Sequence, residues 1–196
     1  MHEIILTILE NTLSVKRQFI ENSVDKIIQA ADMLTTCLSS GCKILIFGNG
    51  GSAADAQHLA AEFVNRFQIE RPPLAAIALT TDTSILTSIA NDYHFDDVFS
   101  KQINALGNPG DIAWAISTSG NSPNVIKGIK TAKQNNMSTI GMTGRGGELA
   151  ANTDLLFSVA SETTARIQEA HITLSHILCD LVERKLFPQE FKDKRN

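Results

Sequence analysis

Residues 43–63 read KILIFGNGGSAADAQHLAAEF. An apolar run, Lys43 to Phe47, meets a glycine-rich turn, Gly48-Asn49-Gly50-Gly51-Ser52, and the chain continues in alanine-rich sequence suited to a helix. A strand that passes into a helix through a short turn is the repeating unit of a parallel sheet, because parallel strands need a crossover between them. The glycines also let the backbone approach an anion closely. The free N–H groups and dipole at the start of the following helix favour negative charge there.

The same texture recurs down the chain. Ala75 to Leu79, Ile112 to Ile116, Thr139 to Met142 and Leu155 to Val159 read as four more buried strands. Helices are expected at 52–66, 83–91, 122–135 and 147–151, with a last one at 165–186. Strands buried on both faces and separated by helices imply an α/β fold, a parallel sheet with helices on both sides. Ligands in such folds sit at the carboxyl ends of strands, which singles out the loops after Phe47 and Ile116. Ahead of the first strand, Ile5, Ile8, Ile20, Val24, Ile27, Ile28 and Leu34 recur at helical spacing, and Asn22-Ser23 breaks or caps between two helices. This layer packs on the domain and is also placed to supply a subunit interface. The tail PQEFKDKRN, from Pro188, reads as a mobile, solvated end.

A chain of 196 residues is one domain's worth. With 43% hydrophobic and 19% charged residues it is neither disordered nor fibrous. The net charge of −4, without a basic run, argues against binding nucleic-acid phosphates. Cys37, Cys42 and Cys179 are odd in number and widely spaced in apolar sequence, so they read as buried thiols suited to a reducing cytosol. There is no basic leader, and no apolar stretch approaches the roughly 18 residues a membrane span needs, so a cytoplasmic protein is expected.

Gly48, Gly50 and Ala53 satisfy a loose G-x-G-x-x-A dinucleotide pattern. However, Glu70 precedes the second strand instead of ending it, and the lysine of a Walker loop is missing, so the nucleotide reading is weak. The second loop, Ser117-Thr118-Ser119-Gly120-Asn121-Ser122, also joins a strand to a helix. Its hydroxyl and N–H donors suit one phosphate without a metal or lysine. A capped turn is the plain alternative for Asn121 and Ser122, but four hydroxyl residues in six positions exceed what a cap needs.

On the helix after the first loop, Asp55, His58 and Glu62 share a face at spacings of three and four. A His–Glu pair at i, i+4 either ligates a metal or pairs on the surface; close behind an anion-type loop, it reads as part of a site. On the last helix Gln168 and His176 lie about 80° apart around the axis and about 12 Å along it. They converge only if the helix bends or a partner helix spans the gap. His171 points away from His176 and reads as a core histidine.

The stretches GNGGSAADAQH with Glu62, ALTTDTSILTSIANDY, ISTSGNSPNVIKG and TARIQEAHITLSHIL, in this order, resemble the SIS (sugar isomerase) family over nearly the whole chain. The resemblance implies a flavodoxin-like three-layer αβα sandwich with a five-stranded parallel sheet. Residues 1–196 would form one SIS domain, with N-terminal helices at 1–40 used in packing and oligomerisation and the core and C-terminal helix at 41–196. It implies a cytoplasmic homotetramer that interconverts sedoheptulose 7-phosphate and D-glycero-D-manno-heptose 7-phosphate, toward the heptose of lipopolysaccharide. By the same resemblance Asn49, Gly50, Gly51, Ser52, Glu62, Arg66, Asn91, Asp92, Ser117, Thr118, Ser119, Ser122 and Gln168 bind substrate. Glu62 and His176 match the catalytic pair, and His58, Glu62, Gln168 and His176 match a set holding one zinc per subunit. Some relatives carry an acid where this chain has Ala165, and that acid's role does not transfer.

A second class shares the fold. ERPPLAAIALTTD, SIANDY and CDLVERKLFP are similar to a non-catalytic SIS protein, DiaA, that binds the replication initiator DnaA. Such a module has no chemical need for the side chains of Glu62 and His176. Isomerase chemistry suits them: a carboxylate base removes a proton next to a carbonyl, and an imidazole exchanges protons with sugar oxygens.

Overall fold

The computed structural model describes residues 1–192. Two helices come first, α1 (His2–Glu21) and α2 (Val24–Ser39), broken at Asn22-Ser23 as the sequence suggests. The order is then β1 (Ile44–Gly48), α3 (Gly51–Val64), β2 (Ala76–Ala78), α4 (Thr83–Asp92), α5 (Val98–Leu106) and β3 (Ile112–Ser117). It continues with α6 (Pro123–Gln134), β4 (Ser138–Thr143), α7 (Glu148–Asn152), β5 (Leu155–Ser158), α8 (Thr164–Leu186) and α9 (Pro188–Lys192).

All five strands are parallel, in the order β2-β1-β3-β4-β5. This is the flavodoxin-like arrangement. Alternation along β1 divides the core: Ile44 and Ile46 face one layer, Leu45 and Phe47 the other. The first layer is built from α1, α2, α3 and α8, with Phe19, Leu34, Leu59 and Leu174 against the sheet. The second comes from α5, α6 and α7, with Phe99, Ile103, Ile129 and Leu149. Pro123 opens α6, where its fixed φ suits a first helical turn and its missing N–H costs nothing.

Three sequence expectations need correction. The segment 98–106 is a helix that the strand-and-helix pattern did not separate from its loop, although Val98, Phe99 and Ile103 carry a helical spacing behind Asp96-Asp97. The strands are not all buried on both faces: at the sheet edge Ile77 of β2 is exposed among the described residues. The start of the tail is ordered, since Pro188–Lys192 is helical and Phe191 is buried under the Arg184 guanidinium, 4.4 Å from its ring centroid. Residues 193–196 of that tail lie outside the described residues. Cys37 and Cys179 are buried and Cys42 half-buried, none of them in a disulfide. Burial pushes the Cys37 thiol up to about 12, and Cys179 upward too, so both stay protonated. Among the described residues, no helix is long and apolar enough to cross a membrane.

Candidate active site

Between β1 and β3 the strand order reverses, and the loops leaving their carboxyl ends flank this switch point, where doubly wound folds bind ligands. The two loops are tied together by a reciprocal amide pair: Asn49 Nδ2 donates to Asn124 Oδ1 at 2.9 Å, and Asn124 Nδ2 returns a bond to Asn49 Oδ1 at 2.9 Å. Asn124 is buried and was not among the sequence candidates. Its place in the first turn of α6, directly behind the serine loop, was the available signal.

In the second loop Ser117 Oγ lies 3.1 Å from Ser122 Oγ and 3.5 Å from Ser119 Oγ. Ser122 holds the N-cap position of α6 but makes no capping bond from its side chain. Val125 N is instead capped by Asn124 Oδ1 at 2.9 Å, which leaves the serine hydroxyls as the loop's available donors. The loop is held from behind, with Gly144 N donating to Thr118 O at 2.9 Å and Leu149 N to Gly120 O at 2.9 Å. His171, fully buried as the sequence suggested, supports that layer by contacting Thr143 O through Nε2 at 3.1 Å. Burial lowers its pKa to about 4, so it is neutral, and its Nδ1 has no hydrogen-bond partner among the described residues.

Further along α3, His58 Nε2 sits 3.0 Å from Glu62 Oε1 and 3.5 Å from His176 Nε2 of α8. One donor atom from each of these residues lies within 4.8 Å of the others. Two ligands of one tetrahedral zinc, each about 2.0–2.1 Å from the ion, are about 3.4 Å apart, so the spacing and donor types fit a metal. Burial holds the His176 pKa below the ordinary histidine value, the nearby His58 lowers it further and Glu62 opposes this. The result favours the neutral imidazole that ligation requires. Phe67 lies against His176 with ring centroids 5.4 Å apart, a contact the sequence did not suggest. Asp55, on the same helix as His58, has a buried Oδ2 without a hydrogen-bond partner among the described residues, and burial raises its pKa against the opposing pull of His58.

The remaining candidates are spread more widely. Gln168 rests its amide against Gly51 so closely that a Cβ there would collide with Nε2. Gly51 is about 10 Å along α3 from His58. Gln168 and His176 thus meet α3 at points about 10 Å apart along its axis and do not converge on one place within the single chain. Ser52 is buried in the first turn of α3. Asn91 Nδ2 bonds Asp92 Oδ1 at 2.9 Å at the end of α4, and neither side chain bonds either loop. Arg66 is exposed and pairs with Glu70 at 3.6 Å. One chain therefore gathers the two loops and the His58–Glu62–His176 cluster, and leaves Asn91, Asp92 and Arg66 on the surface.

A doubly wound parallel sheet with a glycine-rich and a serine-rich loop at its switch point defines a flavodoxin-like α/β class, and the family model described as "SIS domain" matches residues 9–144. A phosphoheptose isomerase of Nitratidesulfovibrio vulgaris is 55% identical over 174 residues, covering 88% of this chain and 84% of the relative. One from Thermodesulfovibrio yellowstonii is 55% identical over 91% of this chain and 89% of the relative. The solved phosphoheptose isomerase of Neisseria gonorrhoeae superposes with a TM-score of 0.86 at 49% identity, covering 92% of this chain and 98% of that one. The chain belongs to the phosphoheptose isomerase family of SIS-domain proteins.

Proposed function

We infer that this chain is an aldose–ketose isomerase that converts sedoheptulose 7-phosphate to D-glycero-D-manno-heptose 7-phosphate through an enediol. The observation that carries the reading is the meeting of Glu62, His58 and His176 on helices α3 and α8, whose starts border the glycine loop. The phosphate belongs in the Ser117–Ser122 loop, with Thr118 and Ser119 among its donors. Asn49, Gly50, Gly51, Ser52 and Gln168 face the sugar, and Arg66, Asn91 and Asp92 complete the substrate set. Anchoring the phosphate holds the reacting carbons in register with the acid–base pair.

Glu62 takes the proton from C1 of the ketose and returns it to C2. His176 moves a proton between the two oxygens as the carbonyl shifts, and assists ring opening. Electrons stay within the substrate, so no redox cofactor is needed. His58, Glu62 and His176 would hold a zinc ion, and a bound zinc would polarise the sugar oxygens; Gln168, which rests on Gly51 in this chain, is the fourth ligand that the family resemblance implies. Glu62 Oε1 lies beside His58, and Oε2, which makes no hydrogen bond among the described residues, is the oxygen left to take the proton.

In this reading the whole chain works as one SIS domain in the cytoplasm, feeding lipopolysaccharide heptose synthesis as a homotetramer. The exposed apolar side chains of Ile5, Leu9 and Leu13 on α1 and Val24 and Ile28 on α2 support an assembly through residues 1–40. Nothing in the comparisons favours the initiator-binding alternative, which has no use for an imidazole–carboxylate cluster. The test is to incubate the purified chain with sedoheptulose 7-phosphate, with and without zinc, and assay the aldose product. Absence of conversion under both conditions, with tight DnaA binding, would select the alternative.

A further inference from the structure

The ends of α3 and α8 are joined by a buried ion pair that lies outside the cluster itself. Arg71 Nε donates to Glu183 Oε1 at 2.8 Å, and both side chains are 1% exposed. The last carbonyls of a helix have no partner within it, and Arg71 supplies one. Its Nη2 donates to Glu62 O at 2.8 Å and its Nη1 to Phe63 O at 2.8 Å. The guanidinium thus caps the turn of α3 that carries Glu62. Glu183 also accepts from Phe67 N at 2.9 Å and Gln68 N at 2.8 Å. It therefore fixes the residue whose ring lies on His176. Glu183 follows His176 by seven residues, two turns along nearly the same face of α8. One buried pair therefore ties the end of the helix bearing His58 and Glu62 to the helix bearing His176.

We propose that Arg71 and Glu183 are positioning residues that hold the His58–Glu62–His176 cluster at metal-binding separation. The inference rests on the metal-site reading above but reaches to residues outside the ligand set. Partners that orient ligands from behind characteristically govern metal affinity as well as rate. A pair that served the fold alone would leave the metal affinity of the folded protein unchanged.

The test titrates cobalt(II) or zinc alone into the metal-free full chain: wild type, Glu183→Gln, Arg71→Lys and the double variant Arg71→Met/Glu183→Leu. Circular dichroism and thermal melts identify the folded variants. The double variant leaves no unpaired buried charge, so it keeps the test open if the single variants fail to fold; it still removes the cap from Glu62. Folded variants should bind metal about tenfold or more weakly and lose kcat to a similar degree. Their KM for sedoheptulose 7-phosphate should stay within about threefold, since the serine loop is untouched. Metal affinity within about twofold of wild type in folded variants overturns the proposal, as does a wild-type chain that binds neither metal. A wild type that binds metal without isomerising sedoheptulose 7-phosphate overturns the functional reading instead, and the variants' affinities still decide the role of the pair.

Discussion

His58 and His176 face one another across α3 and α8, their Nε2 atoms 3.5 Å apart and their rings nearly perpendicular at 74°. Glu62 joins them through His58. Replacing Glu62 with Gln keeps the size and most of the packing but removes the base. Turnover should fall by about 10² to 10⁴-fold, as expected when an acid–base group is lost. Calorimetry should still show binding of sedoheptulose 7-phosphate. Near-normal turnover would show that another group takes the proton.

Gln168 sits on the glycine loop while serving as the candidate fourth ligand. Gln168→Ala should weaken zinc binding by about tenfold. It should also raise KM, because the amide leaves the sugar side of the site. Unchanged zinc affinity with a raised KM would assign Gln168 to substrate alone.

Two glycines of the loops should respond differently to alanine. At Gly120 φ is +67°, and an added Cβ would run into the backbone carbonyl of Gly146, which cannot move away cheaply. Gly120→Ala should destabilise the chain by at least about 1–2 kcal/mol, from the left-handed backbone alone. It should also raise KM by distorting the phosphate loop. At Gly51 the three atoms nearest the new Cβ all belong to the end of the Gln168 side chain, which can swing aside. Gly51→Ala should melt close to wild type while losing activity, a contrast that thermal melts and steady-state kinetics would read directly.

His171 makes stability depend on pH in a definite direction. Its pKa is about 4 in the folded chain, against an ordinary value of 6.5. Between those values the unfolded state binds the extra proton, so stability is lost as pH falls from about 6.5 toward about 4, up to about 3 kcal/mol from this group. His171→Gln, which does not titrate, should flatten that part of the curve. Urea midpoints of both proteins at pH 7 and at about pH 4.5 would show it; parallel losses would remove His171 as the cause.

The apolar side chains on α1 give the assembly a handle. The double variant Ile5→Glu, Leu9→Glu places two charges on an exposed face and should convert the proposed tetramer into smaller species without unfolding the sheet. Light scattering with size exclusion would measure this. An unchanged mass would place the interface elsewhere.

Much of this architecture is legible in local sequence. Lys43 to Phe47 followed by glycines and a helix needs only strand burial and turn chemistry, and β1 and α3 form within one or two residues of the expected bounds. The helix at 98–106 was hidden because its apolar residues follow a turn at Phe95–Asp97 that breaks the pattern. Within the site, His58 and Glu62 share a face by helical geometry alone. Their meeting with His176 could not be read locally, because 118 residues separate His58 from its partner. The Asn49–Asn124 pair and the Phe67–His176 contact likewise depend on how distant segments are packed, which periodicity does not encode.

The Asn49–Asn124 pair carries a final consequence. Each amide donates one hydrogen bond to the other and accepts one back across 75 positions of chain, so the opening between the two loops is already set before a sugar arrives. Little ordering entropy is then left for a guest to lose there. Inhibitors shaped to this opening should gain affinity mainly by slower departure, and rigid analogues should enter about as quickly as the natural sugar.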